Sequence, residues 1–585
     1  MKDLRDTAYL GVESSLTGRR WIGPAPDVAR AAEALIQTGD LPPAVAAVLA
    51  QRGITPEAAP SFLEPALRDL LPDPMVLRDM GPAADRVIAA AKGGERIAIF
   101  ADYDVDGGSS AALLIWWLRG LGRQATLYVP DRIDEGYGPN EAAMAALASN
   151  HDLIICVDCG TLSHGPIAAA QGADVIVLDH HLAQAELPVC VAVVNPNRQD
   201  EDGALGHLCA AGVVFLVLVE ANRRLRVDGV MGPDLMGMLD LVALATVADV
   251  APLLGVNRAL VRQGLKVMAR RARPGLVALC DVGRLDRAPT SHSLGFVLGP
   301  RVNAGGRIGA ADLGARCLST DNMAEAEALA RQLDTLNADR REIETRVREA
   351  ALGQAEARGL DAPLVWAAED GWHPGVVGIV ASRLKDQTRR PAIVIGFDGD
   401  EGKGSGRSVA GVDLGASIQR LVAEGLIEKG GGHRMAAGLS LSRAQLEPAM
   451  AKLSDLLERQ GAGQGGPSDL RLDATLMPAA VTPDLIEQIE ATGPFGASAP
   501  APRYALPAMR IRHTRPVGEG HLKLTLGDGG PITLDAICFD AVRQGLDALA
   551  AHDGRPVHVA GRIELNHWQG RSRVQLRLDD AAWAE

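Results

Sequence analysis

The chain has 585 residues, 47% of them apolar and 23% charged, and 59 lysines and arginines against 73 aspartates and glutamates give a net charge of −14. This composition is ordinary for a soluble globular protein, and no apolar run approaches the roughly 18 residues that span a bilayer. The opening stretch "MKDLRDTAYLGVESSLTGRR" lacks the pattern of a secretory signal, so we expect a cytoplasmic protein without membrane attachment. The net negative charge is weak evidence against a nucleic-acid partner, because a protein that is acidic as a whole can have a basic groove.

The first half of the chain predicts a helical extension followed by an α/β domain. Residues 1–75 are rich in alanine and proline and predict short helices. From residue 76 to residue 320, helical stretches alternate with apolar runs, which are "RIAIFADYD", "ATLYVPD", "DLIICVDCG", "DVIVLDHH" and "VAVVNPN". This alternation predicts a parallel sheet covered by helices on both faces. Ligands of such sheets bind beyond the carboxyl ends of the strands.

The second half of the chain predicts three further parts. Residues 321–358 predict one long connecting helix with an apolar stripe. Residues 359–460 predict a smaller α/β domain with strands in "APLVWAA" and "RPAIVIGF". A glycine-rich linker leads to residues 468–585, where short alternating runs such as "HLKLTLGD" and "SRVQLRL" predict a small β-barrel.

Charged side chains stand at the strand ends of the first α/β domain. They are Asp102, Asp104, Asp106, Asp158, Asp179, His180 and His181, and Asp249 follows a further apolar run in "LVALATVADVAPL". Taken singly, an aspartate after a strand is usually a cap or turn residue, and a lone histidine is usually structural. Parallel strands, however, deliver these groups to one edge of the sheet, where the carboxylates would repel one another.

Divalent cations relieve such repulsion. Carboxylates with one or two imidazoles, and without a set of thiolates, suit Mn²⁺ or Mg²⁺. We therefore predict a centre for two ions, which would support an in-line displacement at phosphorus.

The second half carries a glycine-rich signal in "GPRVNAGGRIG", "WHPGVVGIVASRL", "KGSGRSV" and "GGGHRMAAG". Glycines let a backbone approach a ligand closely, and arginine and serine among them suit phosphate. Each stretch alone fits a tight turn or a solvated surface, but their recurrence predicts a phosphate-lined groove. The candidate residues are Arg301, Asn303, Arg307, His373, Arg383, Ser405, Arg407, Gly431, Gly432 and His433. The G-x-G-x-x-G and P-loop patterns are absent from the sequence, which argues against a nucleotide-dependent oxidoreductase.

The motifs together resemble a known group. "DYDVDG", "VDCG", "DHH" and "TVADVAPL", in this order and spacing, are similar to the DHH phosphoesterase superfamily, and "WHPGVVGIVASRL", "GSGRS" and "GGHRMAAG" are similar to its DHHA1 domain. With "GPRVNAGGRIG" and a barrel that resembles an OB-fold, the chain from about residue 75 onward resembles the bacterial single-stranded-DNA-specific exonucleases of that superfamily. The resemblance implies a 5′→3′ exonuclease that uses Mn²⁺ or Mg²⁺ to degrade single-stranded DNA to mononucleotides in recombination and repair.

The resemblance also implies roles for the site residues. Asp104 and Asp158 would hold one ion, and the other would be held by a set that shares Asp158, namely Asp106, Asp158, His180 and Asp249. His181 would lie beside the scissile phosphate, and Asp179 would orient the imidazoles. Asp102 is a candidate catalytic residue, with direct ligation of a metal left open.

Outside the metal centre, the resemblance implies that Arg132 in "VPDRIDEGYG" contacts phosphate and that the groove candidates form a 5′-end pocket. It further implies a monomer that works with a helicase and a single-strand-binding protein. In the barrel, Trp568, Tyr504 and Phe539 are candidates for base stacking, or else core residues. Two rivals stay open, an enzyme of the same superfamily acting on small substrates and a non-catalytic scaffold, although the complete ligand set argues against the second.

Overall fold

The chain divides into two units in a computed structural model that describes residues 8–131, 135–463, 469–568 and 571–584. The first unit comprises residues 1–71, 252–262 and 466–585, and the second comprises residues 72–251 and 263–465. Within the described ranges, no helix is long and apolar enough to cross a membrane. The chain begins, in the first unit, with β1 (Trp21–Ile22), α1 (Pro26–Gly39), α2 (Pro43–Gln51), α3 (Ala59–Leu63) and α4 (Leu67–Leu70).

The second unit opens with a parallel α/β domain. Its sheet and the helices between its strands are α5 (Met80–Gly93), β2 (Ile97–Ala101), α6 (Val105–Gly120), β3 (Ala125–Tyr128), α7 (Glu141–Ala148), β4 (Leu153–Val157), α8 (His164–Ala169), β5 (Asp174–Leu178) and β6 (Ala192–Val194). All five predicted strands are confirmed, in the order β3-β2-β4-β5-β6 with every pair parallel. Every residue of β2 and β4 is buried, as expected for strands covered on both faces.

A helical segment, of which residues 255–262 belong to the first unit, follows this sheet and leads to the second α/β domain. It contains α9 (Ala210–Val227), α10 (Leu239–Ala248), α11 (Gly255–Met268), α12 (Pro274–Val282), α13 (Ser291–Ser293), α14 (Gly299–Ile308), α15 (Leu313–Ser319) and α16 (Met323–Arg358). The predicted connecting helix is therefore confirmed as α16, which the side chain of Asn322 caps by accepting a hydrogen bond from the backbone N–H of Glu325.

The second α/β domain holds a mixed five-stranded sheet. Its elements are β7 (Val365–Asp370), α17 (Pro374–Thr388), β8 (Ala392–Asp398), β9 (Glu401–Arg407), α18 (Leu414–Ala423), β10 (Lys429–His433), β11 (Ala436–Ser442) and α19 (Arg443–Glu458), with strand order β10-β11-β9-β8-β7. One sheet face packs Val394 against Val380 of α17, and the other packs Ile393 and Ile395 against Ile418 of α18. Strands β9 to β11 are rich in glycine and were not predicted as strands.

The rest of the first unit is a closed barrel. Its elements are β12 (Leu470–Arg471), β13 (Ala474–Thr475), α20 (Pro483–Ala491), β14 (Tyr504–Val517), β15 (His521–Gly527), β16 (Thr533–Cys538), α21 (Ala541–Gln544), β17 (Val557–Trp568) and β18 (Arg571–Trp583). The order β14-β15-β16-β18-β17 closes because β17 also pairs with β14. The predicted barrel is thus confirmed. Its core includes Tyr504 and Leu576 and continues into the N-terminal helices through Leu35 and Val45.

Candidate active site

Three carboxylates follow three neighbouring strands of the parallel sheet. Asp102 comes directly after β2, Asp158 after β4 and Asp179 after β5, and β4 lies between the other two strands. All three side chains are buried. Because the carboxyl ends of parallel strands meet at one edge, the sheet order itself brings these groups together.

The N-terminus of α6 adds two more carboxylates. The side chain of Asp104 caps the helix and accepts hydrogen bonds from the backbone N–H groups of Asp106 at 2.8 Å and Gly107 at 3.2 Å. Asp106 accepts hydrogen bonds from two backbone N–H groups at the start of α9, at 2.6 and 2.8 Å. A Cβ atom at Gly107 would lie 2.4 Å from the carbonyl oxygen of Asp102, so only glycine lets the helix begin this close to the strand end.

His180 lies among these carboxylates. Its Nε2 is 3.2 Å from Oδ1 of Asp158 and 3.7 Å from Oδ2 of Asp106, and its Nδ1 is 3.9 Å from Oδ2 of Asp249. Three overlapping sets each have ligand atoms within 4.8 Å of one another: Asp158, His180 and His181; Asp106, His180 and Asp249; and Asp102, Asp104 and Asp158. The predicted ligands therefore converge on one place.

The electrostatics of the cluster favour a bound cation. Burial, followed by the charges of Asp106, Asp104 and Asp102, raises the pKa of Asp158 well above its usual value. Burial, with the same two charges of Asp106 and Asp104, raises the pKa of Asp249 to about 8. Oδ1 of Asp158 is buried and accepts no hydrogen bond from the residues that the structure describes. A divalent cation would supply the missing positive charge, so the oxygen-rich donor set fits Mn²⁺ or Mg²⁺.

His181 has different surroundings from His180. Its Nδ1 lies 2.8 Å from Oδ1 of Asp179. Burial alone would lower the pKa of His181, but the hydrogen bond and the charge of Asp179 raise it to about 9. Burial alone would raise the pKa of Asp179, yet hydrogen bonds from His181 and Thr161 hold it well below its usual range. The pair is therefore an imidazolium with its carboxylate, held at the edge of the cluster.

Tyr137 is a site residue that the sequence reasoning missed. Its hydroxyl donates a hydrogen bond to the backbone carbonyl of Asp158 at 3.0 Å and lies 3.1 Å from Nε2 of His181. The available signal was its place in "DEGYG", a polar, glycine-containing loop after β3. Arg132, which precedes it in that loop, lies outside the described residues.

The predicted groove residues of the first α/β domain have contacts within the protein. Arg301 donates hydrogen bonds to Asp334 at 2.9 Å and to the carbonyl of Val297 at 2.7 Å. Oδ1 of Asn303 accepts a hydrogen bond from the backbone N–H of Val105 at 3.0 Å and so fixes the first residue of α6. Contact of these residues with a substrate stays a prediction.

The residues predicted around α17 divide into two groups. Arg307 donates a hydrogen bond to the carbonyl of Gly375 at 3.1 Å, and His373 caps α17 by accepting a hydrogen bond from the backbone N–H of Gly375. Arg383 instead pairs with Glu344 of α16 at 3.3 Å. The first two lie at the N-terminus of α17, whereas Arg383 lies on the helix side that faces α16.

Four of the remaining groove candidates, Ser405, Arg407, Gly431 and His433, share one face of the second sheet. The strand register pairs Arg407 with Ala436 and Ala436 with His433, and it pairs Ser405 with Gly438 and Gly438 with Gly431. Arg407 donates a hydrogen bond to Oγ of Ser405 at 3.0 Å. Gly432 serves the fold, because its φ is +148° and a Cβ there would lie 2.4 Å from the carbonyl oxygen of Ala436.

The aromatic candidates of the barrel also differ. Tyr504 is fully buried, so it is a core residue. Phe539 is 41% exposed, with the guanidinium of Arg577 at 5.2 Å from its ring centre and the ring of His521 at 5.3 Å. Phe539 therefore remains a candidate for stacking, while the side chain of Trp568 lies outside the described residues.

Fold and site together define the class of the protein. The sequence matches the model of the DHH family N-terminal domain over residues 96–246, that of the DHHA1 domain over residues 361–459 and that of the RecJ OB domain over residues 472–580. The chain is thus a DHH-family protein with a DHHA1 domain and an OB domain, as the sequence resemblance implied.

Similarity over the whole length identifies the family. The single-stranded-DNA-specific exonuclease RecJ of Dickeya dadantii is 37% identical, over 92% of this chain and 96% of that protein, and RecJ of Escherichia coli is 36% identical over the same shares. The crystal structure of RecJ from Thermus thermophilus in complex with Mn²⁺ superposes with a TM-score of 0.79 at 28% identity, covering 96% of this chain and 79% of that chain. The chain belongs to the RecJ family.

Proposed function

We propose that this protein is a metal-dependent 5′→3′ exonuclease that degrades single-stranded DNA to mononucleotides in DNA recombination and repair. The observation that carries the proposal is the cluster of carboxylates and imidazoles that includes Asp158, whose buried Oδ1 lacks a hydrogen bond from the described residues. Relatives that are named single-stranded-DNA-specific exonucleases support the substrate.

In this proposal the carboxylates and His180 hold two ions. Asp104 and Asp158 bind one, and Asp106, Asp158, His180 and Asp249 bind the other, with Asp102 as a further catalytic carboxylate. When bound, Mn²⁺ or Mg²⁺ would make water nucleophilic and stabilise the charge that develops on the phosphate oxygens.

The protein's own groups complete the chemistry. His181, charged because Asp179 raises its pKa, faces the scissile phosphate and stabilises negative charge there. Asp179 fixes the orientation of this ring through the 2.8 Å contact and does not need to touch a metal. Tyr137 holds the same ring from its other side.

We further propose that the strand runs over both α/β domains. Residues 76–320 would then be catalytic, residues 359–460 would bind the strand, residues 468–585 would add nucleic-acid binding, and residues 1–75 would be an extension joined to the barrel. The phosphate contacts would come from the set Arg132, Arg301, Asn303, Arg307, His373, Arg383, Ser405, Arg407, Gly431, Gly432 and His433.

The cellular setting is also a proposal. We expect a cytoplasmic protein that acts as a monomer. A helicase would supply the single strand and a single-strand-binding protein would hold it. Sedimentation of the purified chain and pull-down with such partners test these expectations.

The decisive experiment is the substitution Asp158→Asn with strands labelled at either end and 5′-blocked controls. We expect nucleotide release to fall by more than about 100-fold, since the shared carboxylate is lost. Asp174→Asn is the matched control, because Asp174 begins β5, the neighbour of the strand β4 that precedes Asp158, and is exposed. Unchanged cleavage by Asp158→Asn, or release from a 5′-blocked end at the normal rate, contradicts the proposal.

A further inference from the structure

Part of one face of the second sheet is open. On this face, α17 covers β7 and β8, where Ala367, Ala392 and Val394 are buried, and its Gly378 lies against Ser405 and Arg407 of β9. Farther along the same face, Gly438 of β11 is exposed and Gly431 of β10 is half-buried. The sheet therefore presents an accessible surface over β11, β10 and the Lys403 end of β9.

The strand register arranges this surface in rows. Arg407 and His433 belong to one row, Ser405, Gly438 and Gly431 to the next, and a third row contains Lys403, Ser440 and Lys429. Side chains on one face recur every second residue, so neighbouring rows are about 6.8 Å apart and the two basic rows about 14 Å apart. The spacing between rows is comparable to that of successive phosphates in an extended single strand.

The glycines of strands β9, β10 and β11 fall into two kinds. A Cβ atom at Gly404 would lie 2.8 Å from Ile395, and one at Gly430 would lie 2.6 Å from Ile418, so the packing of the opposite face requires these glycines. A Cβ at Gly431 would meet nothing within 4 Å, and one at Gly438 would have its nearest neighbour at 3.9 Å. Neither has a positive φ. The fold does not require glycine at these two positions, which form the floor between the basic rows.

The third row opens on a cleft of about 450 Å³ that Gly375 of α17, Lys403, Ser405, Lys429 and Gly431 help to line. The side chain of Lys403 is 48% exposed, and its contact with Glu401 is 3.6 Å long. Lys429 is exposed and forms no ion pair with any residue in the described ranges. Beyond this row the register brings Glu401 beside Asp398, so the basic surface ends there.

We propose that Lys403 and Lys429, with Gly431 and Gly438 as the floor, form a second phosphate subsite for single-stranded DNA, two rows away from Arg407 and His433. This inference rests on the proposed function. The lysines neutralise phosphates of a strand that lies flat on the floor, where a side chain would obstruct the approach of its backbone. The subsite holds the strand and does not take part in bond cleavage.

The test is the salt dependence of strand binding by the full chain, measured by fluorescence anisotropy with a labelled 12-mer in chelator. Each phosphate contact to a single strand contributes about 0.7 to the slope of log K against log salt. The double variant Lys403→Gln with Lys429→Gln should lower that slope by about 1.4, so that between 50 and 200 mM salt the wild type loses about sevenfold more affinity than the variant. With metal present, KM should rise while kcat is retained.

Lys452→Gln is the matched control, since Lys452 lies on α19 and pairs with Glu424 at 3.1 Å. Its slope should equal that of the wild type. An unchanged slope in the double lysine variant overturns the inference while leaving the proposed function intact. A wild-type chain that neither binds nor cleaves the strand overturns the proposed function as well.

The floor gives a second test that separates binding from folding. Gly431→Ala and Gly438→Ala should keep or slightly raise the melting temperature, because the methyl group meets no protein atom at contact distance and alanine is less flexible. Both should nevertheless weaken strand binding. Gly404→Ala should instead lower the melting temperature. Unimpaired binding by both floor variants contradicts the subsite.

Discussion

Asp249 makes the metal-free protein sensitive to pH. Its carboxyl has an ordinary pKa of 3.8, which burial and the charges of Asp106 and Asp104 raise to about 8 in the folded chain. A raised carboxyl pKa means that the folded state binds a proton more tightly than the unfolded state does. Stability is therefore present at low pH and is lost as the pH rises from about 4 towards 8.

The size of the effect follows from the shift. One pKa unit corresponds to about 1.4 kcal/mol, so a shift of this size corresponds to a loss on the order of 5 kcal/mol of stability from the metal-free protein between pH 4 and pH 8, which Asp249 shares with Asp106 and Asp158, whose pKa values are also raised. His181 acts in the same direction, because its pKa of about 9 exceeds the ordinary value of 6.5. Bound metal displaces the protons, so in Mn²⁺ stability should rise with pH instead.

The assay is the melting temperature in chelator from pH 5 to pH 8, for the wild type and for Asp249→Asn. We expect a clear fall for the wild type and a smaller fall for the variant, which carries no charge at this position but keeps Asp158 and His181, whose pKa values are also raised. Asp228→Asn, an exposed carboxyl of the same unit that pairs with Lys92, is the control and should follow the wild type. A wild-type melting temperature that is flat or rising in chelator refutes the reasoning, as does a variant that follows the wild type.

Two further predictions concern residues that the sequence did not single out. Tyr137→Phe removes the hydroxyl that holds His181 and the carbonyl of Asp158, and it should lower kcat by roughly 10- to 100-fold with little change in KM; normal kcat would exclude this positioning role. In the first unit, the buried guanidinium of Arg258 lies 3.8 Å from the ring centre of Phe62 and donates hydrogen bonds to its carbonyl, so Arg258→Gln should destabilise that unit by about 3 kcal/mol in denaturant unfolding. Arg258→Lys should not restore stability, because a lysine lacks the planar fork.

The parallel sheet was predictable from the sequence because each of its strands is an apolar run that is followed by charged or polar residues. The sequence did not predict β14, the longest strand of the barrel, since Pro507, Pro516 and several arginines interrupt the alternation that marks a strand. This strand tolerates them because it is partly exposed along its second half. Tertiary pairing with β15 and β17 overrides the local preference.

Within the site, the sequence was sufficient to predict the position of carboxylates that directly follow strands. Asp102, Asp158 and Asp179 each follow a strand, and the order of these strands in the sheet brings the three carboxylates together. Sequence alone could not separate the two histidines by physics, since adjacent residues look alike until their partners are known. The structure separates them, with His180 among Asp106, Asp158 and Asp249 and His181 paired with Asp179.

The glycines of the second domain show that one motif can serve packing and ligand access at neighbouring residues. In "KGGGH", Gly430 and Gly432 are required by contacts with Ile418 and Ala436, and Gly431 between them is not. In a strand, alternate residues face opposite sides, so the same run of glycines serves packing on one face and access on the other. The sequence does not distinguish the two uses, because both select glycine. The Cβ contacts do distinguish them: a methyl group would clash with the protein at Gly430 and Gly432 but would meet no close neighbour at Gly431 and Gly438, where we therefore expect a ligand to require glycine.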